Sequence, residues 1–187
     1  MIRPIVAYGD PILRKIAQDI DQNYPDLKQL IADMYDTMYN AHGVGLAAPQ
    51  IGLSVRLFVV DGEPFDPENL KDFKKVFINA QIIEESQEEV NFNEGCLSIP
   101  DVRGDVLRPN WIKMSYLDEK MRPIEAAFEG LAARIIQHEY DHIDGILFTD
   151  HLSSLTRTRL QKPLRNIQQG SCNPDYKMRF YNPKHKK

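Results

Sequence analysis

The chain has 187 residues, 42% of them hydrophobic, enough for one compact domain with a real core. Its formal net charge of −4 argues against a dedicated nucleic-acid binder, and two cysteines exclude a disulfide framework. No run approaches the roughly 20 apolar residues needed to span a bilayer, and residues 1–8 lack the apolar core of a secretory signal. A soluble protein of a reducing cytoplasm is expected, with no membrane association. The charge is uneven: residues 155–187 hold nine Lys/Arg against one acid, Asp175, leaving fourteen basic and twenty-six acidic side chains in residues 1–154.

In chain order, Leu27, Leu30, Ile31, Met34, Tyr35 and Met38 form a helical stripe over Asp26–Ala41, with His42-Gly43 as its exit. An apolar loop, 43–52, precedes a β-like run over Val55–Val60. Residues 61–75 are polar with two prolines and read as a surface excursion. Val76–Ile83 and Glu89–Asn93 look like strands, and Trp111–Leu117 with Ile124–Phe128 like an antiparallel hairpin. Leu131–Ile143 is the strongest helix. A further helical stretch over Leu155–Gln169 is expected to be kinked or interrupted at Pro163, and Tyr176–Tyr181 alternates like an edge strand. These elements predict an α+β fold in which antiparallel β-sheets pack around one central helix. The expected organisation is a single domain over 1–187, with a catalytic body over about 1–152 and a basic helix/strand tail over about 153–187.

The chemistry concentrates in residues 137–142, Gln-His-Glu-Tyr-Asp-His. His138 and His142 lie four apart, so on a helix their imidazoles share one face and can reach a single divalent metal. Glu139 is turned too far round the helix to be a natural third ligand, yet it can take a proton from a water at such a metal. By chance alone, a His-Glu-x-x-His pattern occurs in roughly one chain in a hundred of this size. The structural alternative is a pair of helix histidines capping nearby polar groups. A catalytic site needs a third ligand and an open position. Downstream, His151 and His185 lack the framing of the extended motifs. Upstream, Cys96 stands in 93–100, Asn-Glu-Gly-Cys-Leu-Ser-Ile-Pro, where its thiolate would complete a Cys/His/His set. Alone, Cys96 also fits a small buried hydrophobe. Gly95 lets the backbone come close there, and Glu94 is a candidate partner for Arg103 or Arg108.

Three segments together resemble the peptide deformylase family: Gly43-Val-Gly-Leu-Ala-Ala-Pro-Gln50, Glu94-Gly-Cys-Leu-Ser98 and Gln137-His-Glu-Tyr-Asp-His142. The likeness extends over most of 1–152, including 11–14 (Pro-Ile-Leu-Arg) and 145–148 (Gly-Ile-Leu-Phe). The resemblance implies a metallo-amidase that hydrolyses the N-formyl group from the N-terminal formylmethionine of new polypeptides, releasing formate. It implies Cys96, His138 and His142 as ligands of one divalent metal, usually Fe(II), with zinc, nickel or cobalt able to substitute. Glu139 would be general base and then acid, with Gln50 and the Leu97 N–H holding the formyl oxygen. Gly45 and Gly95 would lie along the substrate backbone, and Leu131 and Ile135 would wall a methionine pocket. The partners implied are nascent formylmethionyl polypeptides, with no specific nucleic-acid sequence. The tail departs from a straight basic C-terminal helix, which argues against ribosome docking through such a helix, although its charge still favours ribosomal RNA. Two rivals are a protease-like metallohydrolase indifferent to Cys96 and a non-catalytic metal or peptide binder; intact Gln50 and Glu139 argue against the second.

Overall fold

The computed structural model describes residues 1–182. Strand β1 (Ile5–Val6) and a 3-10 turn at Pro11–Arg14 lead to helix α1 (Leu27–Asn40), whose buried stripe is Leu30, Ile31, Met34 and Met38. The helix ends as a Schellman motif, with Gly43 N–H bonded to the Met38 carbonyl and His42 N–H to that of Tyr39. The left-handed residue is His42 (φ 55°), not the expected Gly43.

The segment expected as an apolar loop is partly regular. It forms strand β2 (Gly45–Ala47) and a 3-10 turn over Ala48–Ile51, followed by β3 (Leu57–Asp61) and β4 (Lys74–Glu85). The excursion between β3 and β4 is mostly exposed, with Leu70 tucked inward. Strands β5 (Glu89–Cys96) and β6 (Ile99–Pro109) form a separate antiparallel pair, and β7 (Trp111–Leu117) pairs with β8 (Pro123–Glu129). The main sheet runs β2-β3-β4-β7-β8, antiparallel throughout.

Helix α2 (Gly130–Ile143) follows β8 directly. Gly130 makes that turn at φ 57°, a left-handed conformation that a side chain would strain. The sheet lies between α1 and α2, and β3 shows how: Leu57 and Val59 join Met34 and Met38, while Phe58 and Val60 join Ile136 and Ala133. Burial on both faces explains why β3 is a continuous apolar run without alternation. Phe58 stacks on Phe77 at 4.7 Å, and Phe77 meets Tyr116 at 4.4 Å, fixing α2 over the sheet centre.

Helix α3 (Ser154–Gln168) is continuous through Pro163, so the expected interruption does not occur. Its Leu164 and Ile167 pack with Ile99, Val102, Val106 and Phe148 in a third apolar cluster. Strand β9 (Met178–Arg179) then pairs parallel with β1, a shorter element than the alternation over Tyr176–Tyr181 suggested. The last residues of the basic tail, including His185, lie outside the described residues.

Candidate metal centre

Helix α2 carries His138, Glu139 and His142 toward the β5–β6 turn, where the register shifts between Gly95 and Cys96. The His138 and His142 rings stand 5.1 Å apart, nearly perpendicular. Cys96 Sγ lies 3.3 Å from His142 Nε2, and one ligand atom from each of Cys96, His138 and His142 falls within 4.8 Å of the others. These are the three residues the sequence pattern singles out. His151 is elsewhere, its Nε2–H donating to Asp141 Oδ2 over 2.8 Å.

One of the two helix histidines is held from behind. His138 Nδ1 meets Glu94 Oε2 at 2.9 Å, which leaves its Nε2 for the centre. Glu94 is itself gripped by Arg108 (2.7 and 3.1 Å) and by Arg134 (2.8 Å). Of the two arginines expected to pair with it, Arg108 does so; Arg103 instead bonds Asn93. Arg134 escaped the sequence reading because a helix arginine is ordinarily solvated. Here it is buried under Phe92, 5.7 Å from the ring centre.

Gln50 projects from the 3-10 turn. Its Oε1 accepts the Ala47 N–H at 2.8 Å, which sends Nε2 toward Ser98 Oγ (3.4 Å) and Cys96 Sγ (3.5 Å). Gly45 is buried against Glu139, and a Cβ there would stand 2.5 Å from Glu139 Oε1. Only glycine lets β2 pass so close to that carboxylate.

The electrostatics follow from burial and neighbours. Burial opposes ionisation of the Cys96 thiol, but the imidazoles of His142 and His138 outweigh it and bring it to about 5. Burial raises the Glu139 carboxyl to about 7 against the pull of both histidines. Glu94 is held well below the carboxylate range; burial works against this, and His138 and Arg108 overcome it. Glu139 Oε2 and His142 Nδ1 are buried without a hydrogen-bond partner. Two imidazoles, a readily ionised thiol and an orphaned carboxylate converge, and this donor set fits a divalent cation.

A cleft of about 490 Å³ reaches this cluster. Gly45, Gln50, Gly95, Leu97, Leu131 and Ile135, the residues the family resemblance assigns to substrate, all line it, and so do Phe65, Phe92 and Tyr176, which the sequence reading did not name. Phe65 belongs to the polar excursion, and Tyr176 reaches the site only through tertiary folding.

The polypeptide deformylase family model matches residues 2–158. The chain belongs to the peptide deformylase family. It is 58% identical to a peptide deformylase of Christiangramia forsetii, the match covering 98% of each chain. The crystal structure of a peptide deformylase from Legionella pneumophila superposes with a TM-score of 0.80 at 41% identity, covering 91% of this chain and 98% of that one. Arabidopsis thaliana peptide deformylase 1B in complex with an inhibitor gives 0.81 at 37% identity, covering 90% and 91%. As a peptide deformylase-family enzyme, the chain is a hydrolase whose metal-dependent reaction removes the N-formyl group from nascent polypeptides. Among the described residues no helix is long and apolar enough to cross a membrane.

Proposed function

We propose that Cys96, His138 and His142 hold the metal, that Glu139 moves the proton, and that Gln50 and the Leu97 N–H bind the formyl oxygen. The observation that carries this reading is the convergence of those three ligand atoms beside a buried carboxylate oxygen with no partner. When bound, a divalent cation would acidify water and polarise the formyl group. Glu139 takes the proton of the attacking water and returns it to the leaving amine, a role suited to a carboxyl that burial lifts toward neutrality. The Gln50 amide, its sense set by the Ala47 N–H, donates to the formyl oxygen as charge grows there. Gly45 and Gly95 lie along the substrate backbone, while Leu131 and Ile135 wall the methionine pocket.

Fe(II) is the assigned ion, on the family resemblance; zinc, nickel or cobalt suit the same donors. Packing of α3 and β9 on the body supports reading the chain as a single catalytic domain. Arg157, Arg159, Lys162 and Arg165 are exposed on α3, which supports transient contact with ribosomal RNA in the cytoplasm. The test is formate release from a formyl-Met tripeptide by protein loaded anaerobically with Fe(II). Release should vanish in Glu139→Ala and Cys96→Ser; no release by metal-loaded wild type would refute the reading.

A further inference from the structure

The Cys96–Ser98 turn must aim a thiol at His142 and the next N–H, that of Leu97, into the cleft. Its two following carbonyls are pinned by distant parts of the chain. The Ser98 carbonyl accepts the Tyr8 N–H at 2.9 Å, and the Leu97 carbonyl accepts the Tyr176 hydroxyl at 2.8 Å. Tyr176 lies beyond residues 2–158, the span matched by the family model. It is delivered by the parallel β1–β9 pair, with Ile5 N–H bonded to the Lys177 carbonyl and Ala7 N–H to that of Arg179, each at 2.9 Å. The Tyr176 ring packs with Leu97 in the α1-side core and also lines the cleft.

We infer that Tyr176 is a positioning residue for deformylation: its hydroxyl fixes the Leu97 carbonyl and so holds the Leu97 N–H at the formyl oxygen. The inference rests on the oxygen-binding role proposed for that N–H. The Leu97 carbonyl lies in the peptide unit after the one that carries the Leu97 N–H, and the two meet at the Leu97 Cα; fixing the carbonyl holds that Cα and so limits the drift of the preceding N–H. A donor a fraction of an ångström out of place stabilises the transition state less while binding the ground state nearly as well. Burial keeps the phenol protonated and able to donate. The C-terminal segment thereby becomes part of the catalytic apparatus.

The test is Tyr176→Phe, which removes one oxygen. With Fe(II)-loaded protein and formyl-Met tripeptide, kcat is expected to fall about three- to tenfold, the worth of one neutral hydrogen bond, with KM nearly unchanged. In the metal-free protein, the Leu97 carbonyl-carbon and Ser98 amide resonances should move. Unchanged resonances, unchanged kcat, or a raised KM with intact kcat would each overturn the assignment, the last marking Tyr176 as mere cleft wall. An inactive wild type would instead overturn the proposed function, and this inference with it. Should the Phe variant unfold, 3-fluorotyrosine at position 176 keeps the ring and a more acidic hydroxyl; the same resonances must then shift, and their failure to do so refutes the proposal.

Discussion

His138 Nδ1 and Glu94 Oε2 stand 2.9 Å apart, joining a helix imidazole to a carboxylate from β5 that two buried arginines already hold. This contact sets which nitrogen of His138 faces the centre, and it ties ligand geometry to a charged core. Glu94→Ala would leave Arg108 and Arg134, each under a tenth exposed, without their shared anion. Breaking such a buried pair costs about 3–5 kcal/mol, and losing a ligand's supporting carboxylate weakens metal binding roughly 10–100-fold. Urea unfolding and chelator competition measure the two effects separately. Near-wild-type values in both would mean that the contact holds nothing in place.

Glu139→Gln separates chemistry from folding. The substitution keeps the shape and removes a buried carboxyl with an unpartnered oxygen, so thermal stability should hold or rise slightly. Metal content should stay near one per chain, since Glu139 is outside the proposed ligand set. The rate of formate release should fall about 10²–10⁴-fold, the usual worth of a positioned acid–base group. A variant that keeps its rate removes Glu139 from the mechanism.

At Gly45 the space is already filled by Glu139, whose Cγ and Cδ would each lie 2.7 Å from an added Cβ. Gly45→Ala must therefore displace the Glu139 carboxylate or the strand. Overpacking of this kind costs about 1–3 kcal/mol. Activity should fall at least tenfold, because a misplacement near 1 Å costs on the order of a hundredfold. Kinetics alongside the melting temperature decide this. A stable, fully active Gly45→Ala would show that Glu139 has room to spare.

The proposed ligand set, Cys96, His138 and His142, could be picked out in the sequence because its chemistry is local. His138 and His142 sit one turn apart on a strongly striped helix, and Cys96 stands in a short motif of its own. Strand β6 was not legible: its inward positions include Gly104 and Arg108, buried beside Val102 and Val106, so the alternation of polarity is broken where the structure needs a cation inside. Strand β2 hid behind Gly43, Gly45 and Pro49, which signal a turn; it is a strand because Gly45–Ala47 adds to the edge of β3. The Tyr176–Leu97 bond spans 79 residues and rests on a two-residue parallel pairing, for which no local pattern exists.

Pro163 lies inside α3, where it cannot donate a backbone hydrogen bond and its ring crowds the preceding turn. The helix persists because Leu164 and Ile167 bury against the third cluster. Restoring the donor with Pro163→Ala should stabilise the protein by about 1–3 kcal/mol, read as a higher urea midpoint. No gain would mean that the unfolded chain's restriction by proline offsets the strained turn.

Asp33 supplies the pH test. The Met1 ammonium, Gln29 and Arg3 hold this buried carboxylate down at about 2. A depressed carboxylate contributes stability that is complete above its unfolded value, about 3.9, and is lost as pH falls through the folded one. Wild type should therefore exceed Asp33→Asn in melting temperature by a constant margin between about pH 5 and 7, above which the Met1 ammonium begins to titrate. The margin should shrink steadily between about pH 4 and 2. Removing the carboxylate also strands Arg3 against a neutral amide, which adds to the loss at high pH but not to its slope. A margin independent of pH across that window would show that Asp33 contributes packing and hydrogen bonds alone, and that its charge does not matter.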